Sequence, residues 1–368
     1  VFAPALTTMA MPLTLWVSKN DCQGGCVVCP YPPTIDTVEQ LEEILSRPLP
    51  SLVEFVRSLP GDILVIGAGG KVGPSLTRMA KRAVEAAGVR KRVVAVDKAD
   101  LSALESYGIE TIQCDLLDPQ AVERLPRCEN VYYLVGRKFG SDGQEHLTWA
   151  INVMVAHNVA RVFTGSRIAA FSTGCVYPVV PLTTAGCTEA MPPDPVGEYA
   201  MSCLGRERMF DYFSHAAGER VVQCRLNYAI ELRYGVLVDI ATRVWDGEPV
   251  DVTTGFANGI WQGDACNQIL QAIGLASSPQ TVLNITGPEI FSVREAAEWF
   301  GQAFGKPAII QGQENGRGYL NNARRANALF GNPSVPLGRM MEWIAHWIRR
   351  GGERLGKPTH FETQNGKY

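Results

Sequence analysis

What this sequence has little of bounds it first. Charge is sparse: 34 Lys and Arg stand against 37 Asp and Glu, a net charge of -3 over 368 residues. So even a balance announces no nucleic-acid partner, and no run of like charges forms an interaction tail. Long apolar stretches are also missing, and none is long enough to span a bilayer, so no membrane partner is expected. The uncharged opening "VFAPALTTMAMPLTLWV" lacks the basic residues that lead a secretory signal, and Pro4 and Pro12 interrupt any helix there. Repeats and low-complexity tracts are absent. Histidine is scarce, and His146, His157, His215, His346 and His360 have no metal-ligand spacing. The ten cysteines are scattered too widely for a small disulfide scaffold. A reducing cytoplasm is the expected compartment. With 46% hydrophobic residues, the chain can build one large or two modest domains.

One cysteine cluster stands out. Cys22, Cys26 and Cys29 in "DCQGGCVVCP" form C-x3-C-x2-C. That array resembles the cluster loop of the radical S-adenosylmethionine enzymes, whose partial barrel would have to follow. A different pattern begins near residue 60 and leaves no room for it, so a cluster or zinc site there is the minor reading. Two short amphipathic helices are expected next. "TVEQLEEIL" has Thr37 as N-cap with Gln40 at capping-box spacing; "SLVEFVRSL" follows Pro48 and Pro50. Packing against the next domain is their expected role.

The most informative stretch is "GDILVIGAGGKVGPSLTRMAKRAVEAAG". Ile63–Ile66 reads as a parallel strand buried on both faces. Gly67, Gly70 and Gly73 then permit a tight turn, close approach to a pyrophosphate, and close packing of the following helix. Free amides at that helix start favour phosphate. "RVVAVD" is a second strand ending in Asp97, a carboxylate suited to adenosine ribose hydroxyls and repulsive to the extra phosphate of NADP. NAD is therefore expected over NADP. "ETIQCDLLD", "VYYLVG" and "IAAFSTG" read as further strands, with the helix "HLTWAINVMVAHNVARVF" between the last two. Alternation of this kind predicts an α/β Rossmann-type, doubly wound parallel sheet. The candidate cofactor contacts are Gly67, Gly70, Lys71, Val72, Gly73, Asp97, Asp115, Leu116, Val135 and Gly136.

From about residue 61 to about 350 the chain resembles an extended short-chain dehydrogenase/reductase of the NAD-dependent epimerase/dehydratase superfamily. The resemblance rests on "GAGGKVG", "CDLLD", Asn152, "STGCVYP", "GEYAMSC", "CRLNYAI", "GDAC" and "LNITGPE". It implies that Tyr199 is the acid/base, that Thr173 contacts the substrate oxygen, and that Asn227 lies near the substrate; Asn152 is expected to bridge a substrate loop or the active-site backbone, or else to pack against a neighbouring strand end. It also implies a Lys one helical turn after the Tyr, where this chain has Cys203. A free Tyr has a pKa of about 10, and a neutral thiol cannot lower it as an ammonium does. Arg206 is on nearly the same helix face and is the alternative cation. Nucleotide-sugar members often carry an Arg before the segment corresponding to "GDAC"; aligned on Asp264, that place is Ala257. "TTGFANGIWQGDA" has no Arg or Lys at all, which points to a smaller sugar or hydroxy acid.

The expected organisation is an extension over 1–60, an NAD-binding Rossmann domain over 61–230, and a smaller C-terminal substrate domain over 231–368, partly interleaved with it. The expected function is NAD-dependent chemistry on a hydroxyl of a small-molecule substrate, as dehydrogenase, epimerase or dehydratase. The rival is a non-catalytic NAD-binding regulator or scaffold, for which Cys203 speaks. By analogy with the family, a homodimer is expected. Arg225 is expected to pair with a buried acid, and Trp343 and Trp347 to pack in the core. The polar tail "GKPTHFETQNGKY" carries no assigned role.

Overall fold

The computed structural model describes residues 31–138, 140 and 143–366. The Cys22/Cys26/Cys29 array lies outside the described residues.

Seven strands carry the fold: β1 (Ile63–Ile66), β2 (Val93–Asp97), β3 (Glu110–Gln113), β4 (Asn130–Tyr133), β5 (Arg167–Thr173), β6 (Arg220–Leu226) and β7 (Thr281–Ile285). They form one sheet in the order β7-β6-β5-β4-β1-β2-β3, and every pairing is parallel. The chain builds outward from β1 to β3. It then returns to place β4 on the other side of β1 and builds the opposite way. The β1/β4 boundary is a topological switch point, where a crevice opens at the carboxyl ends of the strands.

Alternation along each strand fills two cores. Ile63, Val65, Val93, Ala95 and Tyr132 face one layer of helices. Leu64, Ile66, Val94, Val96 and Tyr133 face the other. Burial on both faces explains why β1 is a continuous apolar run. The helix Glu145–Trp149 continues into Val155–Val162 through a π-helical turn at Ala150–Met154, an irregularity that periodicity does not predict.

Helices α1 (Val38–Leu45) and α2 (Pro50–Ser58) precede the sheet. Thr37 Oγ1 accepts from the Gln40 amide at 3.2 Å, and Gln40 Oε1 accepts from the Asp36 amide at 2.7 Å. The reciprocal bond thus reaches one residue before the N-cap. Leu41, Ile44 and Leu45 enter a C-terminal core, while Leu52 and Val56 enter the core beneath the sheet. The two helices therefore bridge the C-terminal core and the core on one face of the sheet.

The glycine loop leads into α3 (Gly73–Ala87), and α4 (Gly197–Ala217) runs beside β5 and β6. The C-terminal core packs α5 (Val236–Asp246) against later helices at Val293–Phe304 and Leu337–Arg349. Trp343 and Trp347 are buried there, and Trp343 meets the Trp261 ring edge-on at 5.3 Å. A second, four-stranded sheet combines Val180–Pro181 with Phe256–Asn258, Ile290–Ser292 and Arg317–Tyr319. Among the described residues, no helix is long and apolar enough to cross a membrane.

Candidate active site

A trough follows the carboxyl ends of the strands. One half has a volume of about 430 Å³ and the other about 450 Å³. Gly69, Gly70, Leu134 and Gly136 line both.

The glycine loop forms the floor between them. Gly67 has φ +87°, and a Cβ there would lie 2.8 Å from the Val135 amide nitrogen. At Gly73 a Cβ would lie 2.3 Å from the Ala68 carbonyl oxygen, so only glycine lets α3 start this close to the strand. Gly70 is less crowded, its nearest neighbour being the Gly67 carbonyl at 3.4 Å. Sequence reasoning passed over Gly69. Its amide donates to Asp97 Oδ2 at 2.9 Å, and a Cβ there would lie 3.0 Å from Asp97 Cγ. The Ala99 amide donates to Asp97 Oδ1, also at 2.9 Å. The acid at the end of β2 is thus fixed from both sides. The amides of Lys71 and Val72 have no hydrogen-bond partner among the described residues. Crowded glycines, open amides at a helix start and a fixed carboxylate fit a dinucleotide: a cradle for its phosphates and an acceptor for its ribose.

Asp115, Leu116 and Val135 line the half that contains Asp97. Lys98 turns to Asp115, Nζ to Oδ2 at 2.9 Å, and this hydrogen bond holds the Asp115 carboxyl below its ordinary range. Asp97 makes no ion pair among the described residues.

Tyr199, in the first turn of α4, and Thr173, at the end of β5, meet in the other half. Thr173 lies close enough to the Tyr199 phenol to oppose the rise in its pKa, and Thr173 Oγ1 accepts from the Cys175 amide at 3.2 Å. Loss of water around the Tyr199 phenol pushes its pKa well up, and the neighbouring Cys203 and Cys175 add to this; Arg206 and Thr173 act the other way. Cys203 is fully buried with Val176, Tyr177 and Leu320, so the place of the expected lysine is apolar. Burial raises its thiol.

Cations reach Tyr199 from elsewhere. Arg206 lies under Gly136 and donates from Nη1 to the Val135 carbonyl at 2.7 Å. Lys138, which no sequence signal marked, holds its Nζ 6.0 Å from the Tyr199 ring centroid and donates to the Thr359 carbonyl at 2.8 Å. Burial lowers its pKa.

Asn152 is not among the residues that line the trough. It sits in the π-turn, fully buried, and braces the loop after β4: its Oδ1 accepts from the Arg137 amide at 2.7 Å. Its Nδ2 donates to Ser202 Oγ at 2.8 Å, which ties that loop to α4. Asn227 does line the trough, with its Nδ2 donating to Asn258 and to the Tyr319 carbonyl. Beside it Tyr228 has φ +42°, a strained conformation for a bulky residue at the cleft wall. Behind the site Arg225 forms a two-pronged pair with Glu207 at 2.9 and 2.7 Å and donates to the Tyr177 hydroxyl. Ala257 is buried in the C-terminal core.

The tail closes one wall. The Leu355 amide donates to the Arg233 carbonyl, and the Thr359 amide and hydroxyl both reach Asp239 Oδ2 at 2.6 Å. Further on, Glu362 meets Arg243, and Gly366 packs on Gly197 at the start of α4. Leu355, Lys357 and Thr359 therefore line the same cavity as Tyr199. Polar composition alone gave no hint of this path.

Residues 63–230 match the NAD dependent epimerase/dehydratase family. No curated protein sequence matches the chain. Solved structures match across most of it. The Thermus thermophilus UDP-glucose 4-epimerase in complex with NAD is 19% identical with a TM-score of 0.63, over 78% of this chain and 99% of that one. The Bacillus cereus UDP-glucuronic acid 4-epimerase in complex with NAD is 18% identical at 0.64, over 78% and 99%. The Streptomyces venezuelae dTDP-glucose 4,6-dehydratase with NAD bound is 16% identical at 0.66, over 78% and 97%. At these identities the likeness is one of fold.

Proposed function

We propose, from the premise that residues 63–230 are a domain of the NAD dependent epimerase/dehydratase family, that this protein is an NAD-dependent enzyme acting on a hydroxyl of a sugar-like or hydroxy-acid substrate. One observation carries the reading: the Thr173–Tyr199 pair lies in the same trough as the glycine loop and Asp97, joined to them through Gly69, Gly70 and Gly136.

Asp97, held by two amides, accepts the ribose hydroxyls, and the open amides of Lys71 and Val72 face the phosphates. Bound NAD supplies a hydride acceptor and, when oxidised, a positive ring. Tyr199 exchanges a proton with the substrate hydroxyl at its phenolic oxygen, and Thr173 orients that oxygen. Because burial raises the Tyr199 pKa, the resting phenol keeps its proton. Removing a substrate proton therefore requires nearby positive charge, which Arg206 and Lys138 contribute from outside position 203. The tail excludes water from the same half.

The test is nicotinamide reduction on mixing with NAD and a hydroxylated substrate. Tyr199→Phe lowers kcat by about 100-fold or more while NAD affinity stays unchanged. Equal turnover in the variant would remove Tyr199 from the mechanism.

A further inference from the structure

The substrate half of the trough is lined by four cationic side chains, Lys71, Lys138, Arg206 and Lys357, and by no Asp or Glu. Two of them are committed: Arg206 to the Val135 carbonyl, Lys138 to the Thr359 carbonyl. Lys71 and Lys357 are different. Lys71 donates one bond, to the Ala229 carbonyl at 3.0 Å, and lies 4.4 Å over the Tyr234 ring. An ammonium has three donors, and Lys71 makes no ion pair among the described residues. The nearby Glu231 pairs with Arg233 through Oε2 at 3.1 Å, and its charge acts on Lys71 without a direct contact. Burial pulls Lys71 down to about 8, although Glu231 acts the other way. Lys357, on the tail, makes no hydrogen bond or ion pair among the described residues.

The cofactor phosphates do not account for both. Their place is at the amides of Lys71 and Val72, on the loop itself. The Lys71 side chain leaves that loop for Ala229 and Tyr234, beyond the end of β6, and lines only the half that holds Tyr199. Lys357 arrives on the tail, which walls this half. A nucleotide diphosphate has no other provision here, since the 253–265 segment carries no Arg or Lys.

Resting on the function proposed above, we propose that the substrate is a small hydroxylated molecule bearing its own anion, a carboxylate or a phosphate monoester. That anion is held by Lys71 and Lys357, and no nucleotide is attached. The C-terminal tail is then part of the binding site, because it brings one of the two ammonium groups.

Calorimetric titration of the NAD-loaded full chain tests this with five probes: glucuronate, a glucose phosphate ester, inorganic phosphate, glucose and UDP-glucose. At least one small anionic probe should bind on the order of tenfold or more tightly than glucose, and Lys71→Met and Lys357→Met should each erase most of that difference. Whether glucuronate or the phosphate ester binds better decides which anion the site takes. Three results overturn the proposal: glucose binding as well as both acids, no small anion binding, or UDP-glucose binding tightest and indifferent to both Met variants. Failure of the underlying function looks different. There NAD itself does not load, or Tyr199→Phe leaves hydride transfer intact.

Discussion

Asp97→Ala isolates the contact on which the proposed cofactor recognition rests. The carboxylate accepts two backbone amides at 2.9 Å each, from Gly69 and Ala99. Both amides are solvent-accessible, so water replaces the lost acceptor and the fold loses only about 0.5–1.5 kcal/mol per bond. The adenosine ribose has no such substitute. A hydrogen bond to a charged group contributes about 1.5–3 kcal/mol, so losing two at the lower end weakens NAD by about 3 kcal/mol, or roughly 100-fold. Asp97→Asn keeps one oxygen acceptor but turns an NH2 group toward an amide donor, so its loss is intermediate. NADP behaves differently, because its extra phosphate no longer faces a carboxylate, and the NAD-to-NADP preference narrows. Isothermal titration of wild type and both variants with each cofactor reads all three numbers. An Asp97→Ala affinity for NAD within about threefold of wild type, under 1 kcal/mol, would refute the reasoning. So would an equal loss for NADP.

Three further outcomes follow from packing and charge. Gly73→Ala drives a Cβ into the Ala68 carbonyl at 2.3 Å; α3 must shift, costing about 1–3 kcal/mol in denaturant unfolding and impairing NAD binding. Glu207→Gln strands the buried Arg225 guanidinium and lowers stability by about 3–5 kcal/mol, part of which Glu207→Gln combined with Arg225→Met restores. Burial pushes the Glu219 carboxyl from 4.5 up to about 8. Between those values the unfolded chain has released the proton that the folded one keeps, so stability is full below about 4.5 and falls as pH rises toward about 8. Glu219→Gln should flatten that decline in denaturation midpoints measured across the range, and an unchanged slope would exclude Glu219 as its source.

Strands β1, β2 and β4 were legible because burial on both faces leaves near-continuous apolar runs, and the glycine pattern was legible because crowding at Gly67 and Gly73 admits no side chain. Asp97 followed from its place at the end of β2. Gly69 was missed because its importance lies in a contact with Asp97, 28 residues away. Lys138 and Lys357 were missed for a related reason. One lies in a loop after β4, the other in a polar tail, and only the tertiary path of residues 355–366 brings them to Tyr199. The pairing of Arg225 with an acid was foreseeable from a lone charge in an apolar strand, but its partner, Glu207 on α4, was not. Asn152 was marked for a substrate loop or active-site backbone or for packing at a strand end, and the π-turn points its amide at the Arg137 backbone after β4 and at Ser202.

The central claim, that the trough is an NAD site, is tested most directly by thermal unfolding of cofactor-free protein titrated with NAD, NADH and NADP. A ligand present at a hundred times its Kd stabilises the fold by about 2.7 kcal/mol. NAD and NADH are predicted to raise the midpoint at lower concentrations than NADP. No shift with any of the three would contradict the account, because the glycine loop, Asp97 and the open amides would then form a cradle that holds nothing.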